Sequence, residues 1–234
     1  MKVRTERAQH DGLQMTLPIL HALVACSNGN TTEVVAARPE STPGLCVTRG
    51  RAEIGAIVTD PAMRAIKIGS SGEAATLIFA LRGKLDSERA LASGSVRRQL
   101  GLKLRAQNGC NVVYVMWRLD PKPAVEVSVK RNPGAVTYKD CGANGYTKIK
   151  PIETGPLPDI SDVQHTLRAQ IASDQLRAWI DGNLVWRGTL PDAEFGGPAG
   201  MRSDNLAFEL IAFDAPTGQT QWSLPKCVVD ETAD

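Results

Sequence analysis

A chain of 234 residues with 27 Lys and Arg against 25 Asp and Glu carries a formal net charge of +2, and no basic tail concentrates it. That balance gives no reason to expect nucleic acid as a partner. With 42% hydrophobic and 22% charged residues, the composition excludes disorder throughout, and the length allows one large all-β domain or two small ones.

At the N-terminus, Lys2, Arg4 and Arg7 precede the apolar run MTLPILHALVA, Met15 to Ala25, which has signal-peptide length and is too short to span a bilayer. The run closes on Leu23-Val24-Ala25-Cys26, which resembles a bacterial lipobox. That resemblance implies lipidation of Cys26 and an anchored protein, the only membrane contact expected. Pro18, His21, Glu6 and Asp11 depart from the lipobox pattern, and a plain secretory signal is the alternative. Setting Cys26 aside leaves Cys46, Cys110, Cys141 and Cys227, an even set compatible with two disulfides in an extracellular or envelope setting. Reduced intracellular thiols are the competing reading. The expected organisation is a signal over 1–26, a polar linker over 27–44 and a folded domain over 45–234.

From Leu45 onward the dominant hydrophobic period is two, which predicts strands. Short strands are expected at Ile54 to Val58 and Ala75 to Leu81, and a helical turn around Asp86 to Ser93. In LGLKLRAQNGCNVVYVMWRL, the Asn108-Gly109 pair has the residue types of a type I′ turn. Such a turn pairs Leu104 with Val113 and Leu102 with Val115. It places Leu100, Leu102, Leu104, Val113, Val115 and Trp117 on a core face. Lys103, Arg105, Tyr114, Met116 and Arg118 take the opposite face. The next strand, AVEVSVK, adds Glu126, Ser128 and Lys130 to that polar side. Further strands are expected at His165 to Ile171 and Leu206 to Phe213. Between them, a three-residue loop Asp181-Gly182-Asn183 keeps Leu176, Ala178, Ile180, Leu184 and Trp186 on one face and turns Arg177, Trp179, Val185 and Arg187 to the other.

The segment His165 to Asp214 carries two further patterns, Ile180-Asp181-Gly182-Asn183-Leu184-Val185 and Gly197 to Asn205. They resemble the "xDGxLV" hairpin and the "GxxGLRSDN" stretch of concanavalin A-like lectin/glucanase domains, especially laminin-G-like bacterial members, with Met201 where Leu is usual. The resemblance covers about a fifth of the chain. It implies an all-β, two-sheet antiparallel jelly-roll sandwich over 45–234. Because such a fold brings its first and last strands together, the resemblance also implies pairing of Cys46 with Cys227, leaving Cys110 for Cys141.

Catalytic templates are sparse. The "ExDxxE" of the glucanases is absent, and Asp86 with Glu88, or Asp192 with Glu194, have carboxylate spacing without a strand to hold it. There is no GxSxG, HExxH or CxxC, and the three His are scattered. No cofactor is expected. A structural calcium ion held by loop carboxylates such as Asp204 and Asp214 is compatible with the sequence, although both residues also suit turns.

The ligand-binding residues expected are Lys103, Arg105, Tyr114, Arg118 and Lys130, four cations and an aromatic ring facing one Glu126 on a shared sheet face. That set suits an anionic polysaccharide such as a uronate polymer. A merely solvated outer face is the bland alternative. Trp179, beside Arg177 and Arg187, is a second candidate because an exposed indole offers a plate for a sugar ring. The reading is an exported carbohydrate-binding sandwich. The alternatives are a uronate-specific polysaccharide lyase, with Arg105, Gln107, Tyr114 and His165 cast in its roles, or a non-catalytic surface adhesion module.

Overall fold

Along Gln164–Ala172, inward His165, Leu167, Ala169 and Ile171 alternate with exposed or half-buried neighbours, and the same period runs through most of the chain. In the computed structural model, residues 44–160, 163–191, 195–218 and 226–227 are described. The expectations for the signal segment and Cys26 lie outside these residues, as do Asp192 and Glu194.

The strands are β1 (Leu45–Arg49), β2 (Ile57–Val58), β3 (Ala62–Lys67), β4 (Ala74–Gly83), β5 (Arg98–Leu104), β6 (Val112–Asp120) and β7 (Ala124–Lys130). A single-turn helix α1 (Tyr138–Cys141) precedes β8 (Tyr146–Ile149), β9 (Glu153–Thr154), β10 (Gln164–Ala172), β11 (Gln175–Ile180), β12 (Asn183–Thr189), β13 (Gly200–Asp204) and β14 (Ala207–Asp214). They form two seven-stranded sheets, ordered β1-β3-β13-β5-β6-β7-β8 and β2-β14-β4-β10-β11-β12-β9. Every pairing is antiparallel, so the molecule is a two-sheet β-sandwich.

Between the sheets, Leu100, Leu102, Leu104, Val113, Val115 and Trp117 meet Leu77, Phe79, Leu167, Leu176, Ala178 and Ile180 in one core. Each large side chain so buried contributes roughly 1.5–3 kcal/mol. Phe79 packs edge-on against Trp117, with ring centroids 6.0 Å apart.

The expected register of β5 and β6 holds, with Leu102 opposite Val115 and Leu104 opposite Val113. The turn does not. Neither Asn108 nor Gly109 takes a positive φ; instead the chain leaves β5 through Arg105 at φ 46. The Asn108 Oδ1 accepts hydrogen bonds from the amides of Cys110 (2.8 Å) and Asn111 (2.9 Å). This side-chain turn competes successfully with the tight hairpin.

At the second hairpin the three-residue loop is also replaced. Asp181 (φ 50) and Gly182 (φ 81) make a two-residue tip in which Ile180 faces Asn183. A bulge then inserts Val185, so that Ala178 still faces Trp186, but the expected places of the two residues before it are exchanged: Val185 is buried in the core and Leu184 lies opposite Trp179 on the outward side. The helical turn expected around Asp86 to Ser93 is absent. Asn205 holds that segment open, accepting from the Arg89 amide (2.7 Å) and donating to the Arg89 and Arg97 carbonyls (2.8 and 3.0 Å).

Disulfides join Cys46 to Cys227 and Cys110 to Cys141, bonds that persist in oxidising surroundings. Among the described residues, no helix is long and apolar enough to cross a membrane.

Candidate functional site

The outward face of the sheet containing β5 and β6 is organised in rows by strand register. One row runs Ile66, Gly200, Lys103, Tyr114, Ser128 and Lys148 across β3, β13, β5, β6, β7 and β8. The next runs Arg64, Arg202, Gly101, Met116 and Glu126. The two glycines in these rows are required by close backbone approach. A Cβ on Gly200 would lie 2.2 Å from the Ala65 carbonyl oxygen, and one on Gly101 would lie 2.1 Å from that of Val115. Lys103 and Arg202 therefore each have a neighbour in the sheet without a side chain.

Asp204 anchors one end of this face. Its buried carboxylate accepts from Arg64 Nη2 (2.5 Å), Arg202 Nε (2.9 Å) and Gln99 Nε2 (2.8 Å). Burial alone would raise its pKa, but the two guanidiniums and the Gln99 bond outweigh it and hold the carboxyl below its usual range. Arg64 also donates through Nη1 to the carbonyls of Met63 and Ser203, both at 2.7 Å.

Lys103 is different. It is half-buried, and its ammonium has neither an acid nor a hydrogen-bond acceptor among the described residues. Burial first, then the neighbouring Arg64 and Arg202 charges, push its pKa down to about 7. Beside it, Tyr114 is only 6% exposed and supports Tyr146, which is 46% exposed. Their rings stack with centroids 6.1 Å apart, and the Arg202 guanidinium sits 5.1 Å above Tyr114. Burial and the neighbouring Tyr114 raise the Tyr146 hydroxyl to about 12. Three cations, one shared carboxylate and a supported aromatic ring give this face an excess of positive charge beside a plate.

Several expected residues do not join it as free ligand groups. Arg105 lies past the end of β5, and its left-handed backbone aims it at Glu73, which it grips through Nε and Nη2 at 2.9 Å each. Arg118 is held by Glu126 Oε1 (2.8 Å) and the Lys122 carbonyl (2.7 Å). Glu126 also receives Arg97 and Lys148, so each of these three cations already has a partner, although they share one carboxylate. Lys130 has the expected parity but is 1% exposed. The helix and its disulfide fold over it, and its ammonium donates to the carbonyls of Gly109 (3.1 Å) and Gly142 (2.7 Å) and to Cys141 Sγ (3.2 Å).

The lyase constellation is not assembled. His165 points inward from β10, 3% exposed, with Nδ1 2.8 Å from Asp181 Oδ2 and its ring against Trp117. Tyr114 faces out of the opposite sheet, so no single substrate atom reaches both. The calcium candidates are likewise engaged. Asp204 is bound to arginines, Asp214 pairs with Lys67 at 2.6 Å, and no acidic cluster suited to a metal occurs among the described residues. Glu88 pairs with Arg98 at 3.3 Å.

No protein-family model matches the chain, and no curated protein matches it as a relative. Solved structures with a similar fold include a carbohydrate binding module from Bacillus subtilis, with 14% identity, a TM-score of 0.48, and coverage of 75% of this chain and 94% of the module. A tetrameric galectin from the ball sponge Cinachyrella sp. shows 12% identity and a TM-score of 0.43 over 67% of this chain and 99% of its own. A toad ovary galectin in complex with thio-digalactose shows 10% identity and a TM-score of 0.42, over 66% and 99%. What those proteins bind is a property of those proteins.

Trp179 lies on the other sheet, half-buried on the outward side of β11. The Arg64, Arg202 and Tyr146 contributions were not anticipated. Arg202 shares outward parity with Gly200 and Asp204 in GMRSD, a signal visible only once that stretch is read as a strand. Tyr146 opens a four-residue strand too short to show a period.

Proposed function

We propose that the protein is an exported carbohydrate-binding module that holds an anionic polysaccharide, such as a uronate polymer, on the outward face carrying Lys103, Arg202, Tyr114 and Tyr146. The observation that carries this reading is Lys103: an ammonium with no counter-charge among the described residues, close enough to Arg64 and Arg202 to feel both charges and directly opposite Tyr114, on which the exposed Tyr146 stacks. A carboxylate or sulfate on a sugar would supply the missing partner through a charge-assisted hydrogen bond, while Tyr146 receives the apolar face of a ring. The solvated-face alternative explains Glu126 and its three cations well. It leaves the unpartnered Lys103 without an account.

Binding to a panel of uronate, sulfated and neutral glycans tests this. Retention of acidic polymers by the wild-type chain, weakened in Lys103→Gln and Tyr146→Ala, is the expected result. Equal retention by both variants would remove this face as the site, and binding to no glycan would favour an adhesion module that contacts protein.

A further inference from the structure

The indole of Trp179 cannot serve the same sugar as Lys103. The two residues point outward from opposite sheets, and stacked sheets are separated by roughly 10 Å of core before either outer face begins. Trp179 nevertheless has the surroundings of a ligand station in its own right. Arg168 lies directly across from it on β10, with its guanidinium carbon 5.0 Å from the ring centroid. One alternation along, Arg177 faces Gln170 on one side and Arg187 on the other.

The charges here do not cancel. Arg187 pairs with Glu153 at 3.0 Å, and among the described residues Arg168 donates only to Gln170 Oε1 at 3.1 Å. Arg177 is exposed and has no acceptor among the described residues. The nearby Asp181 is already committed to His165 Nδ1 (2.8 Å) and the Thr166 amide (2.7 Å). One arginine over a half-buried tryptophan and two more further along the same face, with Glu153 the one acid paired to them among the described residues, repeat on this sheet the combination of uncompensated cation and arginine-covered ring seen on the other.

We infer that the sandwich is bivalent: the Trp179, Arg168 and Arg177 face is a second, independent station for anionic polysaccharide, and the protein bridges two polymer strands held back to back. The bivalence rests on the reading given above for the Lys103 face; the second station does not. A stiff strand lying along one outer face cannot lie on the other as well, so two occupied stations join separate strands or distant parts of one. Long polymers then gain avidity that short ones lack.

Calorimetric titration of the full chain with tetragalacturonate measures this, because a tetramer is too short to reach around the sandwich. The expected stoichiometry is two per chain, falling to one in Trp179→Ala and to one in Lys103→Gln. Arg177→Glu, an exposed change that leaves the core untouched, should also give one, guarding against loss of fold in the tryptophan variant. With long polygalacturonate, light scattering should rise and then fall as polymer passes equivalence, and should stay flat in each single-station variant. One site per chain, lost in Lys103→Gln and unchanged in Arg177→Glu, overturns bivalence and spares the first station. One site lost in Arg177→Glu and unchanged in Lys103→Gln overturns bivalence and the Lys103 reading together. Absence of any binding overturns both stations.

Discussion

Lys103 stands directly opposite Tyr114 across β5 and β6, and its ammonium meets no acceptor there. The Lys103 pKa of about 7, against an ordinary 10.5, makes two pH effects measurable. An anion binds the charged form, so affinity for a short uronate should be full below about pH 7 and decline as pH rises above it. Lys103→Arg should keep binding and lose that dependence. Titrations at pH 6 and pH 8.5 separate the two outcomes.

Stability should respond with the opposite sign. Between about 7 and 10.5 the unfolded chain holds a proton on Lys103 that the folded chain releases, so folding becomes more favourable as pH rises through that window. Urea midpoints of the wild type should therefore climb from pH 6.5 to pH 9 relative to those of Lys103→Met, in which this contribution is missing.

Asp204 should matter more to folding than to ligand. Its carboxylate is the common acceptor for Arg64, Arg202 and Gln99, so Asp204→Asn leaves two guanidiniums poorly paired. Removing one partner of a buried pair costs roughly 3–5 kcal/mol. Because its folded pKa is depressed, the contribution is present above the unfolded carboxyl value and disappears as pH falls through the folded one. Denaturant unfolding of the variant at pH 7 should show the loss, and acid titration should narrow the gap from wild type.

The Cys110–Cys141 bond closes a loop with a sequence separation of 31, and chain-entropy reasoning gives it roughly 3–4 kcal/mol. The Cys110→Ser, Cys141→Ser double variant should unfold at correspondingly lower urea. Trp179 and Arg177 lie on the other sheet, so binding at that station should persist wherever the variant remains folded.

The β-sandwich was legible because alternation specifies faces even when turns are misread. Leu102 and Val115 pair as expected although the Asn108-Gly109 turn never forms, since slipping by one residue would expose every core side chain. The bulge at Val185 keeps Ala178 and Trp186 facing each other in the second hairpin, at the cost of exchanging Leu184 for Val185 on the core side. What alternation could not reveal is who neutralises whom. Lys130 has outward parity yet lies beneath α1, and Arg105 leaves the face because one residue past β5 takes a positive φ. Arg202 and Arg64 come from strands separated by 138 positions and meet only through β3–β13 pairing. Such partners are non-local, and a single sequence carries no local mark of them.

Tyr146 separates an aromatic contact from an electrostatic one. Its ring is half exposed and backed by Tyr114, whereas its hydroxyl is an uncharged group whose pKa burial and Tyr114 raise further, to about 12. Removing the plate in Tyr146→Ala should reduce affinity for a short uronate by about tenfold, close to the roughly 0.5–1.5 kcal/mol of a well-formed ring contact. Tyr146→Phe keeps the plate and should bind within about twofold of wild type. A loss in Tyr146→Phe as large as in Tyr146→Ala would assign the contact to the hydroxyl, and an unchanged Tyr146→Ala would leave the cations alone to hold the ligand.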